Sequence, residues 1–212
     1  MNSASKTETQ TNTRKERKMK SALVLVVSGP SGVGKSVVVK RLREEIGCRV
    51  SVSATTRKPR LNDGVMEVDG VDYHFIARRE FEKRIAAGKF LEWEEVHGHY
   101  YGTPIDPVHA AIVGNSVILL VIDVKGHASI RKCKDEFITD CLKSVFLKPP
   151  TMKDLRHRLL NRGGIDHQTA ERRLIRAKEE MKHADEYDYV VKTKNKEYTF
   201  KQFVRIIMEN IH

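Results

Sequence analysis

The sequence predicts an α/β fold in which a parallel β-sheet carries helices on both faces. Short apolar, β-rich runs occur at residues 23–28, 49–53, 117–122, 143–147 and 187–191, and helical patterns separate most of them. Such alternation is typical of strand–helix–strand units, which build parallel sheets. The run at 117–122 is apolar at every position, as expected of a strand that is covered on both faces. We therefore expect it to be central in the sheet.

The composition limits the kind of protein that this chain can be. With 212 residues, 40% of them apolar, it can bury the core of one α/β domain with insertions. Its three cysteines form no Cys-x-x-Cys pair, which favours a reducing compartment over a disulfide framework. No stretch reaches the roughly 18 consecutive apolar residues of a membrane helix, and the first residues contain no apolar signal core. We expect a cytoplasmic protein that binds no membrane.

Two segments carry most of the formal net charge of +11. Residues 1–20 hold six basic and two acidic side chains (+4), and residues 148–183 hold ten basic and five acidic ones (+5). We predict that 1–20 is a disordered basic tail, in which Met19 is an alternative start. Regularly spaced arginines in the second segment indicate phosphate binding rather than a general polyanion surface. A nucleic-acid binder stays an alternative, and salt-sensitive affinity for DNA or RNA would distinguish it.

The most specific functional signal follows the first apolar run. Residues 29–36 read Gly-Pro-Ser-Gly-Val-Gly-Lys-Ser, a complete Gly-x-x-x-x-Gly-Lys-Ser phosphate loop, and no helix breaker follows before Gly47. The backbone N–H groups of such a loop surround phosphate oxygens, while Lys35 reaches the outer phosphates and the Ser36 hydroxyl binds Mg²⁺. The motif predicts a sheet of the P-loop NTPase type with Mg²⁺ as cofactor. The predicted triphosphate-binding residues are Gly29, Pro30, Ser31, Gly32, Val33, Gly34, Lys35 and Ser36.

A segment with a different sequence pattern, about residues 54–115, interrupts the alternation of strands and helices. It contains short polar and aromatic pieces around a helical pattern near 78–87. Because it is too long for a simple crossover, we predict a small inserted α+β subdomain that binds a second substrate. At its start, Arg57, Lys58 and Arg60 lie within four residues. Two guanidinium groups so placed could bind a phosphate monoester through paired hydrogen bonds.

Asp123 comes directly after the 117–122 run, at the predicted carboxyl end of that strand. Ligands of open α/β sheets bind at this edge. A buried acid there would be costly without a partner. We therefore favour a role in the site over a simple helix cap.

Three further pieces complete an ordered set of motifs. They are Val-Asp-Tyr-His-Phe at 71–75, Phe-Leu-Glu-Trp at 90–93 and His-Tyr-Tyr-Gly-Thr at 99–103. Together with the phosphate loop, the Thr-Thr-Arg-x-Pro-Arg segment at 55–60 and the arginine-rich helical region, they resemble guanylate kinase from about Ser21 to the C-terminus. The resemblance implies transfer of the terminal phosphoryl group of ATP to GMP. It also implies a core (21–53 and 116–212), a GMP-binding insertion (about 54–115) and a helical lid (about 152–183) within 21–212.

The resemblance assigns roles to individual residues. The GMP-binding set that it implies is Ser53, Arg57, Arg60, Tyr73, Glu92, Tyr101, Thr103 and Asp123. The catalytic set is Lys35, Arg57, Arg158, Arg162 and Arg173, the last three being lid arginines, and residues 29–36 become the ATP site. Chemistry supports Glu92 independently, since guanine presents N1–H and an amino group side by side and one carboxylate can accept both.

Two positions depart from the family pattern, and alternative functions stay open. Thr193 stands where the family usually has Asn, which leaves the adenine contacts in doubt, and Val121 stands where the family often has an acid. We interpret Arg156, Arg172 and Arg176 as a solvated face. Two alternative functions are a peptide-binding scaffold domain of the guanylate kinase-like type and a kinase for another phosphorylated acceptor. The sequence does not distinguish a monomer from a homo-oligomer.

Overall fold

The computed structural model describes residues 22–62, 64–161 and 166–211. The predicted basic tail and the lid arginine Arg162 lie outside the described residues. The strands are β1 (Leu23–Ser28), β2 (Arg49–Val50), β3 (Ala54–Thr55), β4 (Leu61–Asn62), β5 (Val65–Met66), β6 (His74–Phe75), β7 (Phe90–Val96), β8 (His99–Pro104), β9 (Val117–Val121), β10 (Leu142–Lys148) and β11 (Tyr189–Lys192). The helices are α1 (Lys35–Ile46), α2 (Arg78–Ala86), α3 (Ile105–Val113), α4 (Val124–Ile130), α5 (Glu136–Thr139), α6 (Met152–Leu160), α7 (His167–Met181) and α8 (Lys196–Asn210), with a 3₁₀ turn at Ala184–Glu186.

The main sheet has five parallel strands in the order β11-β10-β1-β9-β2. This confirms the predicted α/β fold. The strand β9, expected to be central, is an interior strand, but the middle position belongs to β1. The run predicted at 49–53 forms only the two-residue edge strand β2, although the N–H of Ser51 still donates to the Leu119 carbonyl of β9 at 3.0 Å.

Both faces of the main sheet are buried, which is why its strands are apolar at successive positions. Leu23, Leu25 and Val27 of β1 pack on one face with α1 and α8. Val24 and Val26 pack on the other face with α3 and the segments around α4 and α5. All five side chains are at most 1% exposed. A strand with no solvated face has no need for the polar alternation of an amphipathic strand.

The segment between β2 and β9 builds a second sheet. Its order is β6-β3-β8-β7, with antiparallel pairs on either side of β8 and one parallel pair, β3 with β6. Helix α2 packs on it through Phe81, which is fully buried between Phe90 and Tyr100. A separate hairpin, β4 with β5, leads from Arg60 back to Glu67.

Helices α6 and α7 share a small apolar cluster of their own. Leu155 and Leu159 of α6 are fully buried against Ala170, Leu174 and Ala177 of α7. Side-chain oxygens cap both helices, since Thr151 accepts from the N–H of Asp154 and Asp166 accepts from the N–H of Thr169. Within the described residues, no helix has the length and apolarity needed to cross a membrane.

Helix α8 offers a direct test of this packing. Phe203 is 0% exposed against the main sheet, whereas Met208 on the same helix is 44% exposed. We expect Phe203→Ala to lower the free energy of unfolding by about 3 to 5 kcal/mol, because the ring leaves a cavity that the core can fill only in part. The matched variant Met208→Ala should change it by less than about 0.5 kcal/mol. Urea unfolding followed by circular dichroism measures both, and equal effects would contradict the packing.

Candidate active site

The phosphate loop leaves β1 through a backbone that only glycine tolerates. Gly29 has φ 140°, and a Cβ atom built on it would lie 2.4 Å from the carbonyl oxygen of Leu147. Gly34 has φ 111° and directly precedes α1. Glycine adopts such values at little cost. The loop therefore closes tightly at the N-terminus of α1, where N–H groups and the helix dipole favour an anion.

The loop lysine points into the loop itself. The Lys35 ammonium donates to the carbonyl oxygens of Gly29 and Pro30, the latter at 3.2 Å. Ser36 follows in the first turn of α1 and is exposed. The cation and the hydroxyl thus lie at the same helix end as the N–H groups.

A cavity of about 450 Å³ opens beside the loop. Its walls come from the loop, from α1, from α6 and from the segment that joins β11 to α8. The lining residues are Gly32, Val33, Gly34, Val37, Val38, Arg158, Thr193, Lys194, Asn195, Lys196 and Thr199. Arg158 holds two of these walls together, since its Nη1 donates to the Val33 carbonyl and to the Thr193 hydroxyl, both at 3.1 Å.

Arg57 is buried and is held by a residue that the sequence did not single out. Its two Nη atoms donate to the Glu67 carboxylate, one of them at 2.7 Å, and both side chains are less than 10% exposed. The hydrogen bond to Glu67 raises the pKa of Arg57, and the same bond is the main reason that the pKa of Glu67 is lowered. Arg57 therefore stays charged, and its orientation is fixed before any ligand arrives.

The other predicted phosphate-binding residues gather around Arg57. The Tyr73 ring lies 4.9 Å from the Arg57 guanidinium carbon and packs edge-on against Tyr101, with ring centroids 6.0 Å apart. Arg60 has a side chain that is 71% exposed, and its backbone N–H donates to Glu67 at 3.1 Å. The Arg57 Nε atom is buried and has no hydrogen-bond partner among the described residues. This pattern fits a site that completes its hydrogen bonds with an anionic ligand.

Glu92 and Thr103 face each other on adjacent strands β7 and β8. The Thr103 hydroxyl donates to a Glu92 carboxylate oxygen at 2.5 Å, and Thr103 is 1% exposed. Burial is the main cause that raises the pKa of Glu92, and the negative charge of Asp123 adds to it. The second Glu92 oxygen lies against Gly126, where a Cβ atom would approach it to 3.3 Å. The carboxylate thus sits between the second sheet and α4.

Asp123 does cap a helix, a role that its sequence position favours less than a role in the site. One carboxylate oxygen accepts from the N–H groups of Lys125 and Gly126 at 3.1 and 3.0 Å. Its other oxygen lies 3.5 Å from a guanidinium nitrogen of Arg176 on α7. The cap orients the carboxylate, and the role of Asp123 towards a ligand stays a prediction.

Arg176 lies on an exposed face, as expected from the sequence, with a side chain that is 59% exposed. It also lies 3.5 Å from Asp123 of the core and 3.0 Å from Glu180 of its own helix, two contacts that the sequence does not show. Glu180 is half-buried, and burial raises its pKa against the opposing charges of Arg176 and Lys35. Alternating negative and positive charges therefore extend from Asp123 through Arg176 and Glu180 to Lys35. Arg156, by contrast, pairs with exposed Glu171 at 2.8 Å, as expected of a surface residue.

The structure describes two of the three predicted lid arginines. Arg158 lies on α6 at the phosphate loop, and Arg173 is half-buried on α7. Arg162 falls outside the described residues, so its predicted position is not described.

The donor set suits a magnesium ion that arrives with phosphate. Among the described residues, no three His, Cys, Asp or Glu side chains cluster in a way that could hold a metal ion by themselves. Mg²⁺ commonly binds through one or two protein oxygens, substrate phosphates and several waters. The Ser36 hydroxyl at the phosphate-binding helix end fits this pattern.

Comparisons with known proteins agree with this geometry. Residues 21–210 match the family model described as guanylate kinase.

The chain belongs to the guanylate kinase family.

It is similar to proteins named guanylate kinase from Wolinella succinogenes (43% identity over 169 residues, covering 79% of this chain and 75% of the relative) and from Bacillus cereus (42% over 188 residues, covering 88% and 87%). Among solved structures it resembles the guanylate kinase of Anaplasma phagocytophilum, with a TM-score of 0.68, 30% identity and coverage of 90% of this chain and 87% of that chain. The guanylate kinase resemblance read from the motifs is thereby confirmed.

The Arg57–Glu67 pair generates a pH-dependent prediction. Because the folded-state pKa of Glu67 is lowered, its carboxylate stabilises the fold above the unfolded pKa of about 4.3, and this contribution is lost as the pH falls through the folded value. Glu67→Gln should lower the free energy of unfolding at pH 7 by about 3 to 5 kcal/mol, because it leaves a buried cation without its counter-charge. Its stability should also decline less than that of the unchanged protein below pH 5.

Glu82→Gln is the matched control, since Glu82 is half-exposed and pairs with exposed Arg78. Urea unfolding at pH 7, 5, 4 and 3 measures the three proteins. Parallel pH curves for Glu67→Gln and the unchanged protein would contradict the assigned pair.

Proposed function

We propose that this protein transfers the γ-phosphoryl group of ATP to GMP, giving ADP and GDP, and that it also accepts dGMP. The observation that carries the proposal is that Glu92 and the residues around Arg57 lie on one sheet, with Glu92 also against α4 beside the main sheet. Glu92 lies against α4, whose cap Asp123 is electrostatically linked to Arg176 and, beyond it, to Lys35. A donor and an acceptor nucleotide would therefore meet at one edge.

The acceptor phosphate is bound by Arg57 and by the residues around it. Glu67 and Tyr73 hold the Arg57 guanidinium in place, so little conformational entropy is lost when phosphate binds. Arg60 is exposed and lies 3.8 Å from the Glu67 carboxylate, from which it could move towards the ligand. Ser53 at the entry to β3 and Tyr101 on β8 supply further hydroxyls.

The base is selected by the Glu92–Thr103 pair. In its ionised form Glu92 accepts from the N1–H and amino groups of guanine, and adenine offers no such adjacent donors. The Thr103 hydroxyl holds one carboxylate oxygen at 2.5 Å, which fixes the orientation of the group. Sites that hydrogen-bond a substrate group in this way reject analogues without it by about 10⁴-fold to 10⁵-fold. Neither set of contacts requires the ribose 2′-hydroxyl, which is why we include dGMP.

The chemical step needs alignment and positive charge rather than a general base. Lys35 and the N-terminus of α1 face the donor phosphates, and Arg57 faces the acceptor phosphate. Arg158, Arg162 and Arg173 are assigned to the lid that closes over the transferring group and excludes water. Mg²⁺, bound through Ser36 and the phosphates, supplies charge neutralisation when present.

The domain organisation follows from this assignment. We propose residues 21–53 and 116–212 as the core, about 54–115 as the GMP-binding insertion and about 152–183 as the lid. The separate apolar cluster of α6 and α7 supports treating them as one moving unit. We also propose that the protein acts in the cytoplasm, in purine nucleotide metabolism.

A direct assay tests the activity. Purified protein with ATP and Mg²⁺ should form ADP with GMP and dGMP, and far less with AMP, CMP or UMP. Lys35→Ala should reduce turnover by about 10³-fold or more, because charge at the transferring group is lost, while circular dichroism shows the fold retained. Turnover with none of the five nucleotides would contradict the proposal and favour a binding domain.

Base selection should depend on pH through Glu92. Since burial raises the pKa of Glu92, protonation begins at a higher pH than for an ordinary glutamic acid. As the pH falls, kcat/KM for GMP should therefore decline, because the protonated group no longer accepts two hydrogen bonds. Glu92→Gln should have a lower kcat/KM for GMP. Its kcat/KM should also lack the decline at low pH that protonation of Glu92 causes. The GMP phosphate titrates equally with both proteins, so identical profiles would contradict the role of Glu92.

A further inference from the structure

Gly126 lies buried inside helix α4, although its backbone does not require glycine. Its φ lies outside the left-handed region that favours glycine. Within a helix, glycine is less favourable than alanine, because it loses more conformational entropy on folding. What distinguishes residue 126 from an alanine is therefore the space that a Cβ atom would fill.

That space lies against the Glu92 carboxylate. A Cβ atom on residue 126 would lie 3.3 Å from Glu92 Oε2 and 3.5 Å from the carboxylate carbon. At 3.3 Å the contact is tight enough that the neighbouring group must move by a few tenths of an ångström. The oxygen concerned is the one that Thr103 does not hold, since the Thr103 hydroxyl donates to Oε1. It is therefore the oxygen with more capacity to accept hydrogen bonds from a ligand.

Neither the carboxylate nor the helix can move without losing a contact. Glu92 pairs with Thr103 across β7 and β8, and the Thr103 hydroxyl holds its carboxylate at 2.5 Å. Helix α4 is anchored by His127, which is 1% exposed and stacks on Tyr187 with ring centroids 3.8 Å apart. Because the end of a side chain moves more easily than a packed helix, a methyl group on residue 126 would displace the carboxylate.

A second neighbour gives a different reason for glycine at this position. The same Cβ atom would lie 3.3 Å from the Cβ atom of Ile122, which follows strand β9. The two reasons differ in what alanine would change. A conflict with Ile122 would affect the packing of α4 on the main sheet, whereas a conflict with Glu92 would affect the recognition of a base.

We propose that Gly126 is a specificity-determining residue, which keeps the second Glu92 carboxylate oxygen in place for the donor groups of guanine. This inference rests on the proposed function. In that function the N1–H and amino groups of guanine lie side by side, so both carboxylate oxygens must be held at fixed positions to accept them. Gly126 acts through Glu92 on the binding of the acceptor base, and not on the phosphoryl group that is transferred.

Gly126→Ala tests the proposal. We expect the dissociation constant of GMP, measured by calorimetry, and the KM for GMP to rise about tenfold, the effect of weakening one hydrogen bond to a charged group. Both kcat and the KM for ATP should change by less than about twofold, because only binding of the base is affected. An unchanged affinity for GMP would overturn the inference.

Ribose 5-phosphate separates the base from the phosphate, since it carries the phosphate group without guanine. As an inhibitor competing with GMP, it should bind Gly126→Ala and the unchanged protein equally well. If ribose 5-phosphate and GMP were weakened by the same factor, the substitution would have disturbed the whole acceptor site, and the inference would be overturned.

Gly114→Ala is the matched control. Gly114 ends α3 with a φ of −82°, and a Cβ atom there would lie 3.2 Å from the Ala110 carbonyl oxygen. The same substitution therefore meets an oxygen atom at a similar distance, at the amino end of β9 rather than at the edge with Asp123. Gly114→Ala should leave the affinity for GMP unchanged, and a loss as large as that of Gly126→Ala would overturn the inference.

A double-mutant cycle with Glu92→Ala tests the route through the carboxylate. Because the contact is absent without the carboxylate, Gly126→Ala should change the dissociation constant of GMP by less than about twofold in that background. Additive effects would place the conflict at Ile122 and overturn the inference.

Circular dichroism of the four proteins in this cycle covers a folding defect. A fold that Gly126→Ala loses only when Glu92 is present would support the contact, whereas a fold lost in both backgrounds would overturn the inference.

Two outcomes separate this inference from the proposed function. Absence of GMP binding and of turnover in the unchanged protein would contradict the phosphotransferase itself. Turnover of GMP with the same GMP affinity in the unchanged protein and in Gly126→Ala would contradict only the role of Gly126.

Discussion

The site depends on the close approach of the phosphate loop to the neighbouring strand. Gly29 leaves no room for a Cβ atom, since the carbonyl oxygen of Leu147 would lie 2.4 Å from it. The preceding residue, Ser28, is fully buried and donates to the Ile122 carbonyl at 2.8 Å. These contacts join the carboxyl ends of β10, β1 and β9, so the loop, α1 and Asp123 emerge at one edge.

Two carboxylates, buried Glu67 and half-buried Glu92, lie in opposite environments. Glu67 is paired with Arg57, and its pKa is lowered, so it serves to hold a cation. Glu92 receives one hydroxyl donor and otherwise lies in an environment that raises its pKa. A carboxylate whose charge is disfavoured by burial gains most from new donors, and guanine supplies two. In the proposed site, the same physical cost of burying the Glu92 charge would favour selective binding of guanine.

The sequence was sufficient where local pattern determines structure. Apolar runs located the strands of the main sheet, and the glycine spacing located the phosphate loop, because backbone geometry there permits no other residue. It failed where partners come from distant segments. Glu67 reaches Arg57 only through the β4–β5 hairpin, and the contact of exposed Arg176 with Asp123 joins two separate elements. Helical spacing indicates which face of the helix a residue occupies, but not which residues that face contacts.

Asp123 shows why the two readings of a residue need not exclude each other. One oxygen caps α4, and this fixes the carboxylate at the point where the core, the second sheet and α7 meet. The Arg176 bridge joins α7 to the core through side chains that stay largely exposed, so solvent screens it and it contributes little to stability. A contact of that strength would bias the position of the proposed lid without locking it. The core and the proposed lid thus meet at a residue whose orientation is already fixed by the helix that it caps.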